Sequence, residues 1–219
     1  MSFVEQIALR EHAELETVGS TATVGEVRAN YETRFIENLR AGDAVAFDSF
    51  VRERTGDIYA LLLRLTQDAE EARDLTQETF LHAFRSIGSF RGDADLRTWL
   101  YRIAVNQARN RLRWWRRRRR NETVSLDEPD PLNGMSLGSR LIDETCETPE
   151  ACLMRQERER HLLRALATLG RDAREVVVLR DIEGFSYEEV AETLNMSIGT
   201  VKSRLSRARA ELRRRLDHL

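Results

Sequence analysis

Residues 185–215 read FSYEEVAETLNMSIGTVKSRLSRARAELRRR. Ser186 followed three residues on by Glu189 has the spacing of a capping box, which predicts a helix from Tyr187 with Val190, Ala191 and Leu194 on its apolar face. Asn195 stands where the chain must turn sharply, and asparagine tolerates a left-handed backbone better than other non-glycine residues. Ser197 suits the cap of a second helix, along which Val201, Leu205, Ala208 and Leu212 recur at helical spacing. Two short helices joined by a tight turn, the second rich in arginine, describe a helix-turn-helix of the kind that enters a DNA major groove.

Charge supports that reading against a merely solvated amphipathic hairpin. Residues 202–215 hold seven basic side chains (Lys202, Arg204, Arg207, Arg209 and Arg213 to Arg215) against the single acid Glu211, in a chain of net charge −2. Thr200, Ser203, Ser206 and Arg207 project away from the apolar stripe, where a recognition helix presents groups to base edges.

The 219 residues allow one large domain or two small ones, and 33% charged with 7% aromatic residues suits an all-α protein. The near-neutral total hides blocks: residues 109–120 carry eight arginines and no acid, whereas 121–150 carry eight acids against Arg140 alone. Lys202 is the sole lysine. Cys146 and Cys152 match no zinc or redox spacing, and His12, His82, His161 and His218 are scattered, so neither a metal nor a cofactor is expected. No apolar run approaches a membrane span, and the N-terminus lacks a signal-peptide core; a cytoplasmic protein without membrane insertion is expected.

Taken in order, residues 1–34 read as an acidic, partly ordered extension, with the strong helical pattern beginning at Tyr31. Phe35, Ile36 and Leu39 lead to the helix stop Gly42; Asp43 caps the next element, and Phe47, Phe50, Ile58, Leu61, Leu62 and Leu65 supply a core. Asp68 with Glu71 repeats the capping-box spacing and opens a helix to about Ile87. On that helix Ala72, Leu75, Thr76, Thr79, Phe80 and Ala83 form the buried stripe, leaving Asp74, Gln77, Glu78, Leu81 and Arg85 on the opposite face. A leucine set among acids and an amide suggests a protein contact, although single surface leucines are common.

Residues 86–95, SIGSFRGDAD, form a glycine-containing loop carrying Phe90 and Arg91. The next helix places Leu96, Leu100, Ile103, Ala104, Ala108, Leu112 and Trp115 on one arc and Arg102, Asn106, Arg109, Arg113 and Arg116 on the other. A basic ridge beside an aromatic ring and a guanidinium suits tracking a phosphate backbone while stacking unpaired bases. Residues 119–155 hold all three prolines and the acidic block, and read as a flexible linker. Helical order resumes after about Gln156, where Asp172 with Glu175 offers a third box for a helix ending at Gly184.

Two nucleic-acid surfaces on one chain narrow the options. DLTQETFLHAFRSIGSFRGDADLRTWLYRIAVNQARNRLR (Asp74 to Arg113) resembles region 2 of a sigma-70 family factor, and RDAREVVVLRDIEGFSYEEVAETLNMSIGTVKSRLSRARAELR (Arg171 to Arg213) resembles region 4. A short acidic linker in place of region 3, with no bulky region 1, is similar to the extracytoplasmic-function (ECF) layout. The resemblance implies a region 2 bundle over 35–118, the linker 119–155 and a region 4 domain over 156–219.

It also implies roles. Asp74, Gln77, Glu78 and Leu81 would dock on the clamp coiled coil of core RNA polymerase. Phe90 and Arg91, with the rest of their loop, would hold a base flipped from the non-template strand of the promoter −10 element. Arg102, Asn106, Arg109, Asn110 and Arg113 would lie along the same region. The second helix of 156–219, with Thr200, Lys202, Ser203, Ser206 and Arg207, would read the −35 element of promoter DNA. The linker would thread toward the RNA exit channel, and an anti-sigma factor is an expected partner. Such a factor is no enzyme, and a nucleoid-associated place in the cytoplasm follows. Family members usually carry glycine where this chain has Asn195, and the extension before residue 30 is longer than usual. The competing reading is a stand-alone helix-turn-helix regulator binding palindromic half-sites; a nuclease would need clustered carboxylates or histidines near the ridge, and the sequence offers none.

Overall fold

The computed structural model describes residues 24–92, 95–119 and 149–216. Every regular element among them is helical: α1 (Val24–Arg40), α2 (Ala44–Thr66), α3 (Ala69–Ser86), a 3-10 turn (Ile87–Ser89), α4 (Leu96–Arg119), α5 (Pro149–Ala167), α6 (Arg171–Val177), a π-helical turn (Val178–Ile182), α7 (Tyr187–Leu194) and α8 (Ile198–Leu216). None of these helices is long and apolar enough to cross a membrane.

Local chemistry sets most of the helix ends. Gly42 takes φ +78° at the end of α1, and Gly42 N–H and Asp43 N–H donate to the carbonyls of Leu39 and Asn38, which is a Schellman closure. Asp43 Oδ1 then accepts from Val45 N (2.7 Å) and Ala46 N (3.1 Å), capping α2. Asp68 caps α3 in the same way through Glu70 N and Glu71 N, both at 3.0 Å. The Glu71 carboxylate lies 3.4 Å from Arg111 on α4.

Elsewhere the structure departs from the sequence expectation. α1 begins at Val24 rather than near Tyr31; its first turns, VGEVRAN, carry no sustained apolar period by which the sequence could announce them. α5 begins at Pro149 rather than after Gln156: proline fits the first helical position, where its missing N–H is no loss. The third box does not form. Gly170 is the N-cap of α6 without a side-chain cap; Asp172 pairs with Arg204, and Glu175 is buried against Arg171. Two arginines within reach compete better for those carboxylates than two backbone amides do. The segment after α6 widens into a π turn that closes through Glu183 N–H to Val178 O and Phe185 N–H to Leu179 O, with Gly184 at φ +76°.

Two compact units result. The first comprises the described residues up to Thr55 with Phe80–Leu96. Its core is aromatic: Phe50 meets Phe35, Phe47 and Phe80 at centroid distances of 6.2–6.4 Å, each pair edge-on or tilted. The second comprises Gly56–Thr79 with the described residues from Arg97 onward, so it groups α4 with the C-terminal helices. Its core joins Ile58, Leu61, Leu62 and Leu75 with Leu100, Tyr101, Val105, Leu163, Val176, Leu179, Phe185, Val201 and Leu205. Arg174, whose pKa burial pushes below the ordinary guanidinium value, donates to the carbonyls of Leu166 (2.9 Å) and Ala167 at the end of α5 and of Leu169 just beyond it.

Candidate nucleic-acid interface

α7 and α8 form the helix-turn-helix. Ser186 Oγ accepts from Glu189 N (3.1 Å), and Glu189 Oε2 accepts from Ser186 N (2.8 Å), which completes the capping box. Asn195 sits at φ 51°, ψ 57°, and Met196 N–H and Asn195 N–H close back onto Ala191 O and Glu192 O, so this asparagine does what glycine does in a Schellman turn. Ser197 Oγ accepts from Thr200 N at 3.2 Å and caps α8.

With Val201, Leu205 and Ala208 buried, Lys202, Ser203, Ser206 and Arg207 are exposed; Thr200 is half-buried, its hydroxyl 2.8 Å from Ser197 Oγ. The arginines of α8 divide by function in a way that their count does not reveal. Arg204 reaches Asp172 at 2.9 Å, and Arg209 forks onto Asp181, so both brace the helix against α6 and the π turn. Lys202 lies 5.4 Å from the centre of the Tyr187 ring, which Arg180 also covers at 4.8 Å. Arg207 bonds only along its own helix, to Ser203 O at 3.3 Å, among the contacts described, and faces outward.

The ridge on α4 is different. Asn106, Asn110 and Arg113 are exposed, but Arg102 pairs with Glu192 of α7. Arg109 Nη1 donates to Leu194 O at the end of α7 (2.9 Å), and its Nε stands 3.5 Å from Glu175 of α6. Tyr101 and Val105 are buried together with Leu100, Ala104 and Ala108 of the expected arc, whereas Leu96, Ile103 and Leu112 are half-buried, because a second face of α4 is also covered: the Tyr101 ring meets the Phe185 ring at 5.3 Å. Burial, with the Glu183 carboxylate adding to it, holds the Tyr101 phenol above its ordinary pKa, so it stays a donor.

The expectation for Phe90 needs correcting. The ring is 5% exposed and is not offered to solvent for stacking. The 3-10 turn, closed by Phe90 N–H to Ile87 O at 3.0 Å, folds the side chain inward, and Arg40 lies over the ring at 5.8 Å while donating to the Phe90 carbonyl. An apolar ring in a short loop gains more from joining the adjacent core than from water. Arg91 is the exposed member of the pair.

On α3, Asp74 and Gln77 are exposed, and Glu78 pairs with Arg111 at 2.5 Å. Leu81 is 56% exposed, and Phe84, which sequence reasoning passed over, is 53% exposed. Its spacing of three from Leu81 was the available signal. The Phe84 ring is held edge-on by Phe47 at 5.0 Å, so it is a fixed apolar projection rather than a loose one. Among the described residues no group of three His, Cys, Asp or Glu side chains is placed to hold a metal ion.

A bundle segment followed by a helix-turn-helix with an outward polar face defines a DNA-binding helical protein of two motif blocks. Both blocks match family models: Sigma-70 region 2 over residues 36–121 and Sigma-70, region 4 over residues 159–212. The chain belongs to the sigma-70 family and is an RNA polymerase sigma factor of the ECF type. It is 37% identical over 188 residues to the RNA polymerase sigma-H factor of Pseudomonas aeruginosa, covering 86% of this chain and 95% of that one. It is 36% identical over 184 residues to the ECF RNA polymerase sigma-E factor of Haemophilus influenzae, covering 84% and 94%. Among solved structures, the sigma factor RpoE in complex with the anti-sigma factor NepR from Bartonella quintana superposes with a TM-score of 0.56 and 26% identity, covering 74% of this chain and 91% of that one.

Proposed function

We propose that the chain divides its task between residues 35–118 and 156–219, the first taking the promoter −10 element and the second the −35 element. The matches to region 2 and region 4 support that division. In this reading Lys202, Ser203, Ser206 and Arg207 meet the −35 duplex, with Thr200 at the helix start. Their joint exposure on a helix fixed by the Asn195 turn is the observation that carries it. Phosphate contacts set the register and a few base contacts set the sequence.

Arg91 and the ridge of Arg102, Asn106, Arg109, Asn110 and Arg113 take the −10 strand. Strand opening is then driven by binding energy, since the factor has no active site of its own and polymerase supplies the chemistry. Asp74, Gln77, Glu78 and Leu81, joined by Phe84, dock on core RNA polymerase. The factor works in the cytoplasm at the nucleoid. An anti-sigma factor is a fitting partner, because the structurally similar RpoE is bound to one. A stand-alone regulator is the less favoured reading, since the relatives covering most of the chain are sigma factors.

Run-off transcription with purified core polymerase on genomic fragments tests this. The expected result is a set of transcripts sharing two upstream hexamers. Tight binding of a symmetric duplex by the protein alone, with no initiation on any fragment, overturns it.

A further inference from the structure

The loop after α3, which the proposed function gives to the −10 strand, begins as a single 3-10 turn. Phe90 N–H closes it onto Ile87 O at 3.0 Å, and Ser89 Oγ donates to Ser86 O at 2.7 Å. Two residues on, Gly92 takes φ +82°. One 3-10 turn holds its neighbours less firmly than an α-helix does, and a glycine adds conformational freedom. Arg91, exposed between the two, is therefore set by what happens at the Phe90–Arg91 peptide.

That peptide is held from α1. Arg40, in the last turn of α1, donates from Nη2 to the Phe90 carbonyl, and its guanidinium lies 5.8 Å from the centre of the buried Phe90 ring. The backbone under Arg40 is itself fixed. Ala41, Gly42 and Asp43 N–H donate to the carbonyls of Glu37, Leu39 and Asn38, and Leu39 is buried. An exposed arginine at a helix C-terminus serves the helix dipole from many rotamers; two contacts 50 residues along the chain select one of them. The guanidinium suits both, since its plane covers the ring while an edge N–H reaches the carbonyl.

The consequence falls on Arg91. A trans peptide is planar, so its N–H points opposite to its carbonyl. Fixing the Phe90 carbonyl toward Arg40 fixes the Arg91 N–H, and the root of the Arg91 side chain, on the side away from α1.

We propose that Arg40 is a positioning residue for −10 recognition: it anchors the Phe90–Arg91 peptide, so that Arg91 meets an unpaired base without first having to be ordered. This rests on the assignment of the loop to the −10 strand. Ordering a group before binding removes that entropy from the binding step. Because the anchor sets the direction of one peptide, its loss is read as base preference at one position rather than as an even weakening.

The test compares Arg40→Met, which keeps the apolar stem and removes the donor and the plane, with Arg40→Lys, which keeps a charge and a donor. Arg40 is exposed, so both variants are expected to retain the parent's circular dichroism and urea midpoint. In the full chain without polymerase, amide exchange at Phe90 is expected to be about tenfold faster in Arg40→Met and intermediate in Arg40→Lys. In the holoenzyme, run-off transcription is measured on promoters randomised over the −10 element. Arg40→Met is expected to be about tenfold slower on the preferred sequence, with preference flattened at one −10 position and −35 preference unaltered. Arg40→Lys should recover part of both. Parent-like exchange at Phe90 in Arg40→Met overturns the anchor. So does slowing that leaves every −10 preference as in the parent. Arg91→Ala separates the two levels. If it flattens a −10 position while Arg40→Met does not, the loop meets the base and only the positioning is wrong. If neither variant alters any −10 preference, the assignment of the loop to the strand fails as well.

Discussion

α4 and α8 each carry arginines opposite an apolar stripe, and by composition either would serve as a DNA-binding face. In the fold they differ. α8 turns Arg204 and Arg209 sideways onto Asp172 and Asp181 and thereby frees the side with Lys202, Ser203, Ser206 and Arg207. On α4, Arg102 and Arg109 are the residues engaged, while Asn106, Asn110 and Arg113 remain exposed. Acids that brace a helix from its flank present its basic face; acids that sit on that face cover it. Local charge density alone does not distinguish the two.

The strongest way to break the comparison is to remove the platform of one helix. Leu205→Ala deletes a buried side chain from the α8 stripe and is expected to cost about 2–5 kcal/mol in chemical denaturation. Because α7 and α8 pack together, the α7 groups that cover the α4 ridge are expected to loosen with it, visible as faster amide exchange at Glu192 and Leu194. Slow exchange there in a destabilised variant would mean that α7 is held by α4 alone.

Next in size, Leu81→Asp separates the apolar projection on α3 from both basic faces. Loss of a leucine buried on docking is worth about 1.5–3 kcal/mol, so affinity for core polymerase is expected to fall roughly tenfold to a hundredfold. Promoter sequence preference should be unchanged. An unaltered polymerase affinity would reject the docking role of the Leu81–Phe84 side.

How much of this was legible depends on range along the chain. The Ser186 box, the Asn195 turn, the Gly42 stop and the Asp43 cap involve neighbours within a few residues, and the structure has them as the sequence predicts. Leu194 O lies 85 residues from Arg109 and Glu183 lies 119 from Arg64, and nothing local announces such pairs. The same blindness explains Phe90, whose burial is decided by the core beside it, and Glu175, whose capping spacing was overridden by Arg171. Tyr101 and Val105 fell outside the expected arc because a helix covered on two sides shows no single stripe.

Sharper but smaller is the contrast between reading and tracking. Arg207→Ala is expected to cost about 1–3 kcal/mol at one −35 position and to relax preference there. Arg113→Ala on the exposed end of the ridge should weaken binding evenly across sequences and lower the salt slope by about one. Footprinting across a promoter library at several salt concentrations distinguishes them; an even loss for Arg207→Ala would remove it from base reading.

The smallest effect concerns the cap of α7, which Thr98 of α4 also reaches. Ser186→Ala should cost about 1 kcal/mol by freeing the Glu189 amide at the start of α7. Glu189 itself has its pKa lowered, first by the hydrogen bond from the Ser186 backbone and also by Thr98 of α4, against the opposing effect of burial. A carboxylate with a depressed folded pKa contributes stability above its unfolded value and loses it as pH falls through the folded one. The wild-type protein should therefore exceed Glu189→Gln in stability at neutral pH, with the gap closing on acidification below the ordinary carboxylate range, as read from urea midpoints. A gap that persisted in acid would mean that Glu189 acts through its shape and its bond to Thr98 rather than through its charge, and the link between the α7 cap and the covered face of α4 would then be steric.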